Sequence, residues 1–487
     1  MDTNKVLVIN EPFVENFNRA QRWAARTRGR VLRAPDWLAY TTAILEKAGV
    51  DVELYDFPAK FWGKEKLREL VRQKQPRVVV LDTTTPSIYS DIDCARIVKE
   101  ESPRATVLFV GPHGSSRPEE TLRNAAGAVD AIAVGEYEYT VRDYVAHELD
   151  GENRDLSTIP GLAYLDGEGL FQRNAPRPII ENLDELPFPA WNHLDLNDYF
   201  DGGKLHPYVT VIGGRGCPYT CKFCLWPQVM HGHKYRFRSP ESIVAEMEWV
   251  LKNWPEVKNG EFFFEDDTFT VNRQRAHKLC DLIIARKLNC TFSVNSRADV
   301  TDAALLRHMR EAGCRLVLVG FESGSQVMLD SMNKQIAVPK MEQFIRIAKE
   351  VGLQVHGCFV LGMPGETEAT MQETIDFALR NPLDTVQFSS AVPYPGTEYF
   401  DILEKNNLLR AKRWDQWLQE DGEQSAVVEY PGLSKSKVEE YVDKGLKQFY
   451  FRPSYMWRFL MATRSKTDLY RKLRGFRNFV HYLVTKK

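Results

Sequence analysis

Gly213-Gly214-Arg215-Gly216-Cys217-Pro218-Tyr219-Thr220-Cys221-Lys222-Phe223-Cys224 is the stretch on which the reading of this chain turns. Its cysteines follow the spacing C-x3-C-x2-C on a glycine-rich loop, directly after Val209 to Gly213, which reads as a β-strand. Three thiolates this close cannot all pair with one another, and together they make soft ligands for iron or zinc. A zinc site needs a fourth ligand, which His231 or His233 could supply. A cubane iron–sulfur cluster on three cysteines instead leaves one iron open to an exogenous ligand, and an open iron implies chemistry.

Downstream, five more strand-like runs alternate with helical periodicity: Phe262 to Glu265, Thr291 to Asn295, Leu316 to Phe321, Gln354 to Leu361 and Thr385 to Ala391. Six β/α units between residues 207 and 400 predict a partial (β/α)6 barrel with its active site at the carboxyl ends of the strands. Polar groups fall at those ends: Glu265-Asp266-Asp267, Asn295-Ser296-Arg297, Gly320-Phe321-Glu322-Ser323, Gly362-Met363-Pro364-Gly365-Glu366-Thr367 and Pro393-Tyr394-Pro395-Gly396-Thr397. Carboxylates could take an ammonium, Arg297 a carboxylate and Glu322 a ribose or amino-acid contact. Cys94, Cys280, Cys290 and Cys314 lack ligand spacing and read as small buried hydrophobes. Cys358 stands apart, because strand alternation would turn it and His356 together toward the lumen, where a thiol could donate hydrogen or position substrate. Cys358 and Tyr394 are the catalytic candidates.

Upstream, residues 1 to 150 alternate strand and helix as in a doubly wound parallel sheet, so ligands belong beyond the strands' carboxyl ends. Thr83-Thr84-Thr85 and Gly111-Pro112-His113-Gly114 lie there, either as ligand loops or as ordinary turns. Residues 151 to 206 read as a linker with a hairpin around Asp166-Gly167-Glu168, and residues 401 to 487 as a helical carboxyl-terminal region.

The pattern C-x3-C-x-aromatic-C, with Phe223 as the aromatic, resembles the signature of the radical S-adenosylmethionine (SAM) superfamily. A doubly wound domain before such a barrel, with Trp37-Leu38-Ala39-Tyr40, Gly111-Pro112-His113 and Val134-Gly135-Glu136-Tyr137-Glu138, resembles its cobalamin-binding members, in layout closest to the hopanoid-biosynthesis type. The resemblance implies an α/β chain: a Rossmann-like B12-binding domain, a radical SAM barrel and a helical end. It implies a [4Fe-4S] cluster on Cys217, Cys221 and Cys224, and SAM held by Phe223, Glu265, Asp266, Asp267, Ser296, Arg297, Glu322 and Val360. Cobalamin would lie against Thr83, Thr84, Thr85, Gly111, Pro112, His113, Gly114, Gly135 and Glu136. The Asp-x-His-x-x-Gly motif that supplies an axial histidine elsewhere is absent, so cobalt without a histidine ligand is expected.

By the same resemblance the reaction is C-methylation of an unactivated carbon through methylcobalamin, with an external one-electron reductant of flavodoxin or ferredoxin type. Radical ring formation, rearrangement or coupling on a lipid- or isoprenoid-like substrate is the alternative; a non-catalytic cobalamin sensor is another, against which the open-iron loop argues. The composition, 43% apolar and 27% charged with net charge −2 over 487 residues, excludes disorder and a whole-chain polyanion binder. No apolar run approaches a membrane span, and residues 1 to 10 lack a secretory signal, so the cytoplasm is expected. Residues 452 to 487 hold ten Lys or Arg against Asp468, with Leu469, Leu473, Phe476, Phe479, Val480 and Leu483 at near-helical spacing. That fits a helix on an anionic membrane face, with packing on the chain's own acidic remainder as the alternative. No nucleic-acid module accompanies the charge.

Overall fold

The structure, a computed structural model, describes residues 4–19, 24–27, 29–150, 155–461, 469, 473 and 477. Among these, the first sheet is built from β1 (Val6–Asn10), β2 (Val52–Asp56), β3 (Val78–Asp82), β4 (Thr106–Val110), β5 (Ala131–Ala133), β6 (Leu162–Leu165) and β7 (Phe171–Arg173). Its order is β2-β1-β3-β4-β5-β6-β7, parallel through β5 and antiparallel beyond. The apolar runs of β1, β3 and β4 divide between two cores by strand alternation. Val6, Val8, Val78, Val80, Leu108 and Val110 face one side; Leu7, Ile9, Val79, Leu81, Val107 and Phe109 face the other. Helices therefore cover both faces, as a parallel sheet requires. The hairpin anticipated in the linker is β6–β7, and it extends this sheet rather than standing as a separate connector. Pairing with β5 satisfies a backbone edge that would otherwise be open.

The second sheet is β8 (Tyr208–Val211), β9 (Glu261–Phe264), β10 (Phe292–Ser296), β11 (Cys314–Glu322), β12 (Gln354–Leu361) and β13 (Thr385–Ser390), all parallel and paired in chain order. β8 and β13 do not pair with each other, which leaves the barrel open on one side. Helix Lys435–Tyr450 lies against β13, where the Tyr450 hydroxyl bonds both the N–H and the carbonyl of Val386 at 3.0 and 2.7 Å.

The region beyond residue 400 is less helical than its composition predicts. Residues 406–434 form an irregular strap, with isolated bridges Leu409↔Val428 and Leu418↔Gln424, that crosses back to the amino-terminal half. Arg26 N–H donates to Gly422 at 2.9 Å, Trp414 Nε1–H donates to Glu120 at 2.6 Å, and Trp414 meets His113 edge-on at 5.2 Å. The strap's indoles are anchors in other elements' pockets, so they show no helical period. The basic tail expected after Arg452 lies, past helix Pro453–Met461, almost wholly outside the described residues.

Candidate active site

The cysteine loop leaves β8 through a short ribbon, Gly214–Arg215 against Arg236–Phe237. Gly216 makes the turn possible: its φ is +81°, and a Cβ there would lie 2.4 Å from the Lys234 carbonyl oxygen. Cys221 is buried, Cys217 and Cys224 are half-buried, and none is in a disulfide. The loop backbone is clamped from several elements. Gln228 donates to the carbonyls of Cys221, Lys222 and Cys224 at 3.3, 3.2 and 2.8 Å, and the His233 imidazole bonds those of Cys217 and Tyr219 at 3.1 Å. Lys222 N–H donates to Met332 at 3.1 Å and the Asn333 amide to Thr220 at 3.0 Å.

Among the described residues no three His, Cys, Asp or Glu side chains converge as a cage for a single ion. The histidines that a zinc site would need are engaged elsewhere. His231 is enclosed between Trp37 and Trp226 at 4.4 and 5.3 Å, and His233 faces carbonyls. What remains at the loop is a set of three soft thiols with cations beside them. Arg297 Nη1 lies 4.0 Å from Cys221 Sγ, its guanidinium 3.6 Å over the Tyr219 ring. This donor set fits an anionic metal–sulfur cluster better than one closed tetrahedral ion.

The strand ends divide into those that face this loop and those that brace it. Glu322, at the end of β11, holds φ +65°, an uncommon conformation for a residue with a side chain, next to a register shift. Its carboxylate takes a 2.8 Å bond from Lys334, whose pKa is raised although burial, the largest influence, opposes it, because Glu322 and Cys221 together favour the charged ammonium. Arg297 donates to Asp299 and to the Lys334 carbonyl at 2.8 Å, so Glu322, Lys334, Arg297 and Cys221 form one chain of contacts. Phe223 packs against an apolar cluster with Val360, Leu225, Met363 and Tyr394. Glu265 pairs with Arg33 at 3.2 Å, and Asp267 is half-buried at the same strand end.

Two residues expected at SAM, Asp266 and Ser296, have partners within the protein. Asp266 is fully buried, accepting from Gly213 N–H at 2.6 Å and pairing with Arg275 at 3.1 Å, so its carboxylate fixes the root of the cysteine loop. Ser296 shares its hydroxyl with Thr270 and Thr301 at 2.7 and 3.1 Å. Both groups are engaged by partners within the protein, from the adjacent Arg297 carbonyl to Gly213, 53 residues away.

Across from the cysteines lie the amino-terminal loops. Gly111 has φ +97°, and a Cβ there would come within 2.3 Å of Asp82 Oδ1. Thr83 Oγ1 donates to Val110 O at 2.6 Å and accepts from Gly114 N–H at 3.0 Å; Thr84 meets Ser87 at 2.6 Å and Thr85 meets His113 Nδ1 at 3.2 Å. Burial pulls His113 down to about 3, so it is neutral. Thr84, Thr85 and Pro112 line one side of a cavity whose other side is Leu225, Trp226 and Tyr394, with Arg19 and Ala24 at its edge. It holds about 10 Å³, room for one water.

Glu136, expected at cobalamin, serves the seam between the halves. It pairs with Arg215 at 2.6 Å and Arg236 at 2.8 Å, while Glu138 lies 2.8 Å from Arg215. Arg215 also stacks over Trp37 at 4.8 Å. Burial alone would raise the Glu136 pKa, but Arg215, His231 and Arg236 hold it below the usual carboxylate value. Gly135 faces the carbonyls of Met230 and Val229 at the distance of ordinary contact.

The model of the Radical SAM superfamily matches residues 211–378, and that of the B12 binding domain residues 34–145. The Pyrococcus horikoshii protein named Uncharacterized methyltransferase PH0819 is 30% identical over 422 residues, covering 87% of this chain and 89% of the relative. The chain belongs to the B12-binding radical SAM family. The anaerobic magnesium-protoporphyrin IX monomethyl ester cyclase of Cereibacter sphaeroides is 31% identical over 376 residues, 76% of this chain and 60% of the cyclase. In fold, the chain matches the radical SAM methyltransferase TsrM of Kitasatospora setae, solved with cobalamin and a [4Fe-4S] cluster, at TM-score 0.73 and 18% identity, over 99% of this chain and 100% of TsrM.

For a B12-binding radical SAM enzyme, the residues that sequence reading missed are Lys334, Gln228 and Arg215. Arg215 stands inside the signature loop, and its buried position there was the one available signal. Lys334 and Gln228 carry no motif that spacing could expose. Membership in an enzyme family removes the non-catalytic sensor reading. No helix among the described residues is long and apolar enough to cross a membrane.

Proposed function

We propose that this chain cleaves SAM reductively at a [4Fe-4S] cluster on Cys217, Cys221 and Cys224, and that cobalamin seated on the amino-terminal loops delivers a methyl group to an unactivated carbon. The cavity lining supports this reading: Leu225, the residue after the last cysteine, lines the same small cavity as Thr84, Thr85 and Pro112, so the cluster loop and the proposed cobalamin seat meet there. When bound, the cluster supplies the electron that splits SAM to a deoxyadenosyl radical, and methylcobalamin supplies the methyl group.

The protein's part is to hold and shield. Arg297 and Lys334 present cations to the carboxylate of SAM, Glu322 accepts from its ribose or ammonium, and Phe223 and Val360 give its adenosine an apolar wall. Gly111, Gly114 and Gly135 would let backbone approach a nucleotide tail closely, while His113 would stay neutral and bonded to Thr85. A corrin needs far more room than one water, so Leu225, Trp226 and Tyr394 yield on loading.

The name of the Pyrococcus relative supports methyl transfer. Ring formation is the second reading, favoured by the 31% identity to the cyclase. Anaerobic reconstitution with SAM deuterated on its methyl group, a one-electron reductant and a cell extract separates them. Methyl transfer appears as products gaining the labelled methyl; ring formation appears as loss of hydrogens with no label. Reconstituted protein that holds iron and cobalamin yet makes no 5′-deoxyadenosine would refute both.

A further inference from the structure

The inner face of the barrel carries polar side chains beside apolar ones, with Leu318 in register with His356 and Val360 with Ser389. Alternation sends every second residue of β12 and β13 inward, and His356, Cys358, Thr385, Gln387 and Ser389 at those positions are all half-buried. Their outward neighbours Val355, Phe359, Val386 and Phe388 are sealed under helices. Water therefore reaches the lumen side. Register sets Cys358 beside Gln387 and Val360 beside Ser389, with Gly320 of β11 next to Cys358.

The charges around this belt already have partners. Arg33 bridges Asp201 and Glu265 at 3.3 and 3.2 Å, Lys334 holds Glu322, and His356, pulled down to about 4 by burial, bonds Thr385 at 2.7 Å. Burial pushes the Cys358 thiol up to about 12, so it is protonated, and the charges it feels are those of Glu322, Arg33, Lys334 and Lys204. The groups left to meet a ligand are neutral. Gln387 donates to Ser389 at 3.0 Å, and no hydrogen bond among the described residues engages its side-chain carbonyl oxygen. Asn295 on β10 is half-buried on the same side, reaching Glu265 only at 3.4 Å.

We propose that Asn295, Cys358, Gln387 and Ser389 form the substrate subsite, and that it takes a small hydrogen-bonding substrate, uncharged where it enters the barrel, rather than a hydrocarbon skeleton. On a lumen wall where Leu318 and Val360 stand among amides, a hydroxyl and a thiol, a purely aliphatic occupant is disfavoured because the polar groups would then be left unpaired. It stands against the lipid- or isoprenoid-like substrate that the resemblance gave as the alternative, and it rests on the radical-enzyme reading above.

The test uses the full-length reconstituted enzyme and deuterated SAM, given either the water–methanol or the chloroform phase of an extract of the source cells. 5′-Deoxyadenosine formed above the extract-free rate is the readout, because substrate stimulates it whichever reaction follows. The water–methanol phase is expected to stimulate. Gln387→Leu and Ser389→Ala should each raise the amount of extract giving half-maximal stimulation by roughly tenfold, with a smaller loss of the maximum and partial rescue by Gln387→Asn. Iron and cobalamin content per chain controls for folding. Stimulation by the chloroform phase alone, or half-saturation unchanged in both variants, overturns the proposal. Stimulation by the water–methanol phase without labelled product supports this subsite and overturns methyl transfer instead.

Discussion

Two groups of buried charge flank the cysteine loop, and they differ in what they enclose. At the seam, Arg215, Arg236, Glu136 and Glu138 have side chains at most 4% exposed, and each cation of the barrel half meets a carboxylate of the amino-terminal half. At the mouth, Arg297, Lys334 and Glu322 are nearly as buried, yet they end on Cys221 and on a loop whose other cysteines are half-open. Burial and charge thus do not by themselves mark chemistry. The seam is closed by partners from both sides, while the mouth leaves a reactive group at its edge.

The comparison is broken most directly by substitution on each side. Replacing Cys217, Cys221 or Cys224 with Ala should reduce 5′-deoxyadenosine formation to background and iron content to near zero, while Cys94→Ala and Cys280→Ala leave iron bound. Retained cleavage in any loop variant would remove the mouth's special standing. At the seam, Arg215→Met leaves Glu138 without its cation, while Glu136 keeps only Arg236. Breaking a buried pair from one side costs about 3–5 kcal/mol. Urea unfolding should show that loss, with earlier proteolysis between residues 151 and 206; a loss below about 1 kcal/mol would mean that water already reaches the seam.

The same contrast explains what the sequence could reveal. The cysteine loop and the six barrel strands were legible, because metal spacing and strand alternation are local patterns. The first sheet was legible through β5, since continuous apolar runs mark strands covered on both faces. The roles of Asp266 and Glu136 were not, because a carboxylate at a strand end reads alike whether it meets a ligand or an arginine from elsewhere. Asp266 answers Arg275, and Glu136 answers Arg215 and Arg236, 79 and 100 residues away. The strap over residues 406–434 escaped for a related reason: Trp414 is placed by Glu120 and His113 as well as by nearby Trp417.

Acid should open the seam before the mouth. His231, enclosed by Trp37 and Trp226, is lowered to about 4 mainly by burial, against Glu136 and Asp267, which favour its proton, and Arg215 and Arg236, which oppose it. The unfolded chain takes that proton near pH 6.5, so between pH 6.5 and 4 it binds more protons than the native chain, and stability falls as pH falls. Glu136, held below its usual value, contributes with the same sign. The pair should cost on the order of 3 kcal/mol by pH 4, read as a drop in urea midpoint that His231→Phe reduces. An unchanged pH profile in that variant would locate the acid-sensitive groups elsewhere.

The smallest expected effect belongs to His113, which stands on the cobalamin side of the same boundary. Its imidazole is buried, neutral, bonded to Thr85 and packed edge-on against Trp414 of the strap. Those contacts make it a structural member of the loop, so His113→Ala should cost about 1–2 kcal/mol of stability through one hydrogen bond and one ring contact. It should leave the electron paramagnetic resonance spectrum of Co(II)-cobalamin in the holoenzyme unchanged, since Nδ1 is already bonded to Thr85 and Trp414 packs against the ring. Nitrogen superhyperfine splitting in the wild type that disappears in His113→Ala would require Thr85 and Trp414 to release the imidazole on loading, and would move His113 from the bracing groups of the seam to the groups that touch a cofactor.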